Sequence, residues 1–233
     1  MTPVIVSLLG NEALAEQLAA NLHAEQVPLE TRQFPDEETY LRYGGSVAGK
    51  IVLIVCSLDR PDRKFLPIAF AAATARELGA SGVGLVAPYL AYMRQDQRFK
   101  PGEAVTSTCF ARLLSSQIDW LITVDPHLHR HRSLGDIYTA PARVAHAAPL
   151  ISNWIMSEVD RPLLLGPDSE SEQWVAAVAK ASGAPFAVMS KIRRGDRNVE
   201  VSLPALEQWR DRTPVLVDDI ASTARTMIEG VKR

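Results

Sequence analysis

The chain has 233 residues, 47% apolar and 22% charged, as expected of a globular protein with a sizeable core and room for two domains. Its net charge of -2 gives no global electrostatic reason to bind nucleic acid or an anionic membrane, so any anion site must be local. No apolar run approaches membrane-spanning length, residues 1–10 lack the basic start and the length of an export signal, and the two thiols, Cys56 and Cys109, have no spaced framework, which points to a reducing cytoplasm.

Residues 3–9 form a continuous apolar run of strand length, and 11–23 follow with Leu14, Leu18 and Leu22 on one helical face. A second strand is expected over 27–33. Turn signals and alternating polarity over 34–43 then predict a hairpin projecting from the sheet. The clearest buried strand is 51–56, followed by an Ala-rich helix over 61–78, a strand over 82–87, a helix over 106–115 and a strand over 120–124. The second half repeats this grammar. A helix is expected over 141–158, a strand over 162–165, a helix over 169–181, and strands over 185–189 and 215–217. Alternation of this kind means a parallel sheet covered by helices on both faces. The interruption Tyr138-Thr-Ala-Pro141 places the domain boundary between Ile137 and Arg143.

Ligands of open α/β sheets bind in loops at the carboxyl ends of strands, and several such loops carry chemistry here. After the strand at 82–87 come Arg94 and Gln95, forked and amide donors suited to a polyphosphate, with Tyr89, Tyr92 and Phe99 available to lie against a base. After 120–124 comes Asp125-Pro-His-Leu-His-Arg-His131. Its alternate imidazoles have a metal-like spacing, but Pro126 argues against a regular strand, so one or two at most converge. His127 beside Asp125 would suit a Mg²⁺–nucleotide complex, while His129 and His131 fit a basic surface loop equally well. Asp168 ends a strand-to-helix turn, where it can cap the helix or serve a pyrophosphate or metal site. Residues 190–197 pack four cations around Gly195, either as a solvated loop or as a flap over a transferring phosphoryl group. Last, a strand at 215–217 runs through Asp218 and Asp219 into a hydroxyl-rich turn, a cradle for phosphate at a helix start; the alternative is an ordinary helix start capped by Ser222 or Thr223.

Taken in order, Tyr92-Met-Arg-Gln-Asp-Gln97 with Val105-Thr106, Val124-Asp-Pro-His127, Gly166-Pro-Asp168, Lys191-Ile-Arg-Arg194 and Val217-Asp-Asp-Ile-Ala-Ser-Thr223 resemble the ribose-phosphate diphosphokinase (phosphoribosyl-diphosphate synthetase) family over nearly the whole chain. The resemblance implies two phosphoribosyltransferase-like domains, each a parallel sheet flanked by helices: 1–140 binding ATP and 141–233 binding ribose 5-phosphate. It implies a cytoplasmic, Mg²⁺-dependent kinase of nucleotide biosynthesis that moves the pyrophosphoryl group of ATP to the C1 hydroxyl of ribose 5-phosphate, releasing AMP. Arg94 and Gln95 would contact ATP, and Phe34, Asp36 and Glu38 would embrace adenine from a neighbouring subunit, so self-association is expected. His127 and Asp168 would order Mg²⁺, and Lys191 and Arg193 would act on the transition state. Asp218 and Asp219 would hold the ribose hydroxyls, and Ser222, Thr223, Ala224, Arg225 and Thr226 the 5-phosphate.

Three departures from the family pattern point to a divergent class. Ala224 and Arg225 stand where the family usually has glycine, Ser-Glu-Ser-Glu follows Asp168, and Leu-His-Arg-His follows His127 near the usual regulatory site, so control by phosphate and ADP is not expected. The sequence stops at Arg233, within or just after the helix that follows the phosphate turn, so the second domain is expected to be either short or incomplete. The competing reading is a catalytically weak homologue that binds nucleotide or sugar phosphate as a regulatory subunit.

Overall fold

A computed structural model describes residues 3–8, 10–194, 198–202 and 207–220, and divides the chain into two compact units, Met1–Ala145 and His146–Arg233. Each is described by itself.

The first unit is built on a parallel sheet of order β2-β1-β5-β6-β7-β8. Its elements are β1 (Val4–Ser7), α1 (Glu12–Leu22), β2 (Glu25–Gln26), β3 (Leu29–Gln33), β4 (Thr39–Tyr43), β5 (Ile51–Val55), α2 (Asp62–Glu77), β6 (Gly82–Ala87), α3 (Thr106–Ser115), β7 (Trp120–Val124) and β8 (Ala142–Ala145). The period-2 alternation of a strand sorts its side chains to the two faces. Val4, Val6, Val52, Ile54, Val83, Leu85 and Leu121 cluster with Ile68, Ala71, Ala72 and Ala75 of α2 and Phe110, Ala111 and Leu114 of α3. Ile5, Leu53 and Val55 face the other way, against Ala15, Leu14 and Leu18 of α1. β5 and β6 are covered on both sides, which is why they read as unbroken apolar runs.

Within this sheet Gly84 pairs with Trp120 across β6 and β7. A Cβ at residue 84 would stand 2.1 Å from the indole Cζ2, so the ring occupies the space that only glycine leaves.

Two expectations are corrected in the first half and at the junction. The single strand expected over 27–33 is two pieces. Glu25–Gln26 adds a short parallel edge to β1, and after Pro28 the chain turns away, Leu29–Gln33 pairing antiparallel with Thr39–Tyr43 as the projecting hairpin. The helix expected over 141–158 starts later. Residues 142–145 are instead β8, held parallel to β7, and the helix begins at Ala148 with Pro149 in its first turn.

The second unit contains α4 (Ala148–Glu158), β9 (Pro162–Gly166), α5 (Glu172–Ser182), β10 (Phe186–Val188), β11 (Ser190–Arg194), β12 (Asn198–Ser202) and β13 (Thr213–Leu216). β9 lies between β10 and β13 in a parallel sheet. Leu164 and Val217 pack with Ile155 of α4 and Val175, Val178 and Ala179 of α5, while Leu163, Leu165 and Ala187 meet Trp209 on the other face. β11 and β12 form a separate antiparallel hairpin. Among the described residues, no helix is long and apolar enough to cross a membrane.

Candidate active site

In the first unit the candidate loops converge because parallel strands end side by side. The backbone of Tyr89 accepts from Leu58 N at 2.9 Å, and Pro88 O accepts from Val124 N at 3.1 Å, so the loops after β5, β6 and β7 are laced together. Lys64, 8% exposed, donates to Ser57 O at 2.7 Å and to Asp59 at 2.5 Å, and it holds the Asp59 carboxyl below its ordinary range.

Arg94 stands exposed on the β6 loop, two residues after Tyr92, whose φ of +61° turns the chain and whose ring lies 4.7 Å from that of Phe110. Gln95 is half-buried, and its Oε1 accepts from Thr106 Oγ1 at 2.9 Å at the start of α3. That bond commits the carbonyl end of the amide to the protein and leaves the NH₂ end as a donor. Thr106 was visible in the motif, but its part in orienting Gln95 was not. At the end of β7, Asp125 has φ +35° and Pro126 follows, so the strand stops and the imidazoles do not alternate along it. The His127 and His129 rings lie 6.3 Å apart.

Phe34, Asp36 and Glu38 form the tip of the β3–β4 hairpin, where Phe34 N donates to Glu38 O at 2.8 Å and Glu37 takes φ +68°. Arg32 places its guanidinium 4.6 Å from the Phe34 ring and 4.2 Å from that of Tyr40, giving the exposed Phe34 a charged backing.

In the second unit Asp168 follows β9. Its side chain accepts from Glu170 N at 3.1 Å and Ser171 N at 3.3 Å, so the capping role is real. Gly166 is required just before it, because an added Cβ would lie 2.6 Å from Ser171 Oγ. Asp218 and Asp219 follow β13, the neighbour of β9, and Asp219 N donates to Asp218 Oδ1 at 3.0 Å. Burial, then the charge and hydrogen bond of Asp219, and further the charge of Asp168, push the Asp218 carboxyl up to about 6. One end of this sheet therefore gathers three carboxylates, Asp219 and Asp168 both acting on Asp218, hard oxygen donors of the kind Mg²⁺ and sugar hydroxyls take.

Among the described residues, no three His, Cys, Asp or Glu side chains form a ready metal cage. Lys191 and Arg193 lie on β11, opposite Val201 and Val199 of β12, so the cationic segment is a β-hairpin; their side chains lie outside the description. Ser222, Thr223, Ala224, Arg225 and Thr226 lie outside the described residues. Cys56 is buried, and its thiol is raised to about 11 by that burial, so it stays protonated at neutral pH and is no nucleophile.

Two parallel α/β units with polar loops at their strand ends, the second bearing paired aspartates before a hydroxyl-rich segment, define the phosphoribosyltransferase class of fold. Residues 3–117 match the family described as the N-terminal domain of ribose phosphate pyrophosphokinase, and residues 133–233 match the phosphoribosyl transferase domain. The ribose-phosphate pyrophosphokinase of Methanopyrus kandleri is 34% identical over 231 residues, 98% of this chain and 78% of the relative. Those of Methanothermobacter thermautotrophicus and Saccharolobus solfataricus are 31% and 29% identical, each covering at least 97% of this chain and 78% or 79% of their own length. The crystal structure of phosphoribosylpyrophosphate synthetase from Mycobacterium smegmatis superposes with a TM-score of 0.83 over 100% of this chain and 76% of that one; at 20% identity it shows the shared fold. The chain belongs to the ribose-phosphate pyrophosphokinase family, and identities of this size fit a divergent member.

Proposed function

We propose that the protein is a Mg²⁺-dependent ribose-phosphate diphosphokinase. The C1 hydroxyl of ribose 5-phosphate attacks the β-phosphorus of ATP, a new P–O bond forms as the bond between the α,β-bridging oxygen and the β-phosphorus breaks, the hydroxyl proton passes to solvent, and AMP leaves with the bridging oxygen. The observation that carries this reading is the placement of the described motif loops, Arg94/Gln95, His127, Asp168 and Asp218/Asp219, at carboxyl ends of parallel strands, in a chain matched by the family from end to end.

Catalysis of this kind needs positioning and charge neutralisation rather than a covalent nucleophile. Arg94 and the oriented amide of Gln95 take the ATP phosphates. Phe34, Asp36 and Glu38 on the hairpin tip complete the adenine pocket of a second copy of the chain. His127 in the first unit and Asp168 in the second would each take Mg²⁺, which when bound neutralises phosphate charge. Asp218 and Asp219 accept from the ribose hydroxyls, and Ser222 to Thr226 cradle the 5-phosphate. Lys191 and Arg193, on a hairpin beyond the sheet, meet the charge that builds on the transferring group. Two unpaired thiols, Cys56 buried and Cys109 exposed, fit a cytosolic setting.

The test is AMP release from ATP, Mg²⁺ and ribose 5-phosphate. Release that requires ribose 5-phosphate and falls by about 10³-fold or more in Lys191→Ala is the expected result, the size expected for loss of a cation on a phosphoryl transition state. Tight ATP binding with no AMP under any acceptor condition would instead leave a nucleotide-binding regulatory subunit.

A further inference from the structure

The β6 loop and the β7 loop carry different parts of the ATP site, and one ion pair joins them. Asp96 follows Gln95 directly. Its side chain is 2% exposed, and its Oδ1 accepts from Arg130 Nη1 at 2.8 Å. Arg130 lies three residues beyond His127, and its guanidinium sits 5.6 Å from the centre of the Phe99 ring. Phe99 is itself fixed, since its backbone N donates to Glu103 Oε2 at 2.8 Å. The other carboxylate oxygen of Asp96, Oδ2, is buried and has no hydrogen-bond partner among the described residues. Among the described residues this carboxylate has one cation in contact, Arg130, and it comes from the neighbouring loop.

We infer that Asp96 and Arg130 are a positioning pair that sets the spacing between Arg94/Gln95 and His127, and so the affinity for Mg·ATP. The inference rests on the assignment of those loops to ATP. A buried carboxylate stripped of its one counter-charge must move, recruit water or take up a proton, and each response displaces the residues beside it, Gln95 above all. Arg130 serves by gripping Asp96 and lying on Phe99, two contacts that a guanidinium plane makes together and an ammonium does not.

Wild-type turnover is measured first, and the affinity for Mg·ATP without acceptor is then measured by titration calorimetry for Arg130→Ala, Arg130→Lys, Asp96→Asn and the double variant Asp96→Asn/Arg130→Ala. Each single variant is expected to bind Mg·ATP about tenfold more weakly, the size of coupling seen between contacting charged residues, with KM for ribose 5-phosphate within about twofold and melting within a few degrees of wild type. The double variant is expected to bind no more weakly than Arg130→Ala, because the bare charge is gone. If the wild-type protein turns over and the variants bind Mg·ATP as it does, the inference fails alone. It also fails if both substrates weaken in step with a falling melting temperature, the mark of a purely structural pair. A wild-type protein that neither binds ATP nor releases AMP overturns the ATP assignment and this inference together.

Discussion

At the carboxyl end of β13, Asp218 is half-buried beside Asp219 and within the field of Asp168, and its carboxyl titrates near 6 in the folded chain against an ordinary 3.8. A raised acid pKa favours the fold while the group is protonated in both states, and that advantage is lost as pH rises from about 4 to about 6. Above pH 6 the ligand-free protein carries the full repulsion. Asp218→Asn is therefore expected to melt a few degrees higher than wild type above pH 6, with the gap closing as pH falls toward 4, and to lose ribose 5-phosphate binding; paired thermal melts across pH 4–7.5 decide it, and a gap independent of pH would refute the electrostatic account. Much of the proposed site is argued from residue order alone. Arg94-Gln95, His127, Asp168 and Asp218-Asp219 stand in short motifs whose chemistry is local. Asp96 with Arg130 was not legible, because 34 residues separate them and only the parallel pairing of β6 with β7 brings their loops together. The same holds for Thr106 and the amide it orients, since nothing in the spacing of a Thr and a Gln eleven residues apart fixes which end of the amide is spent.

The register of β6 on β7 depends on one small residue. Trp120 lies over Gly84, and a methyl group there would overlap the ring, so Gly84→Ala forces either a strand shift or a rotated indole. Overpacking of this kind costs about 1–3 kcal/mol, to be seen as a lower urea midpoint with an unchanged slope; a variant as stable as wild type would mean the indole has another place to go. The elements that the sequence predicts well are those whose periodicity matches their burial. β1, β5 and β6 are apolar runs because both faces are covered, and α1 shows its Leu14–Leu18 stripe because one face is. Two segments misled for physical reasons. Ala142-Arg-Val-Ala145 has little preference of its own and becomes β8 through pairing with β7, a tertiary effect that local propensity does not carry. The run over 27–33 contains Pro28, and there the chain leaves the sheet edge for the hairpin, with Gly44 N donating back to Pro28 O at 2.8 Å.

At the scale of the whole molecule, the proposed role of the hairpin tip in a second copy would build each adenine pocket from two chains. Two inactive variants should then rescue one another. Phe34→Ala/Asp36→Ala lacks a working tip but keeps Lys191, and Lys191→Ala keeps its tip. Unfolded together and refolded at equal ratio, they are expected to recover about a quarter of wild-type activity, the share of sites that random pairing equips with both good halves. A mixture as inactive as its components would confine the hairpin to its own chain. The short strand β8 has a further, practical consequence. It belongs to the first unit yet lies past Pro141, so a fragment ending at residue 140 leaves β7 as a bare edge, with the backbone of Leu121 to Val124 unpaired along one side. Such an edge seeks another strand to pair with. A fragment cut there would be prone to clump, whereas one carried through Ala145 keeps its sheet closed off by the strand it folds with.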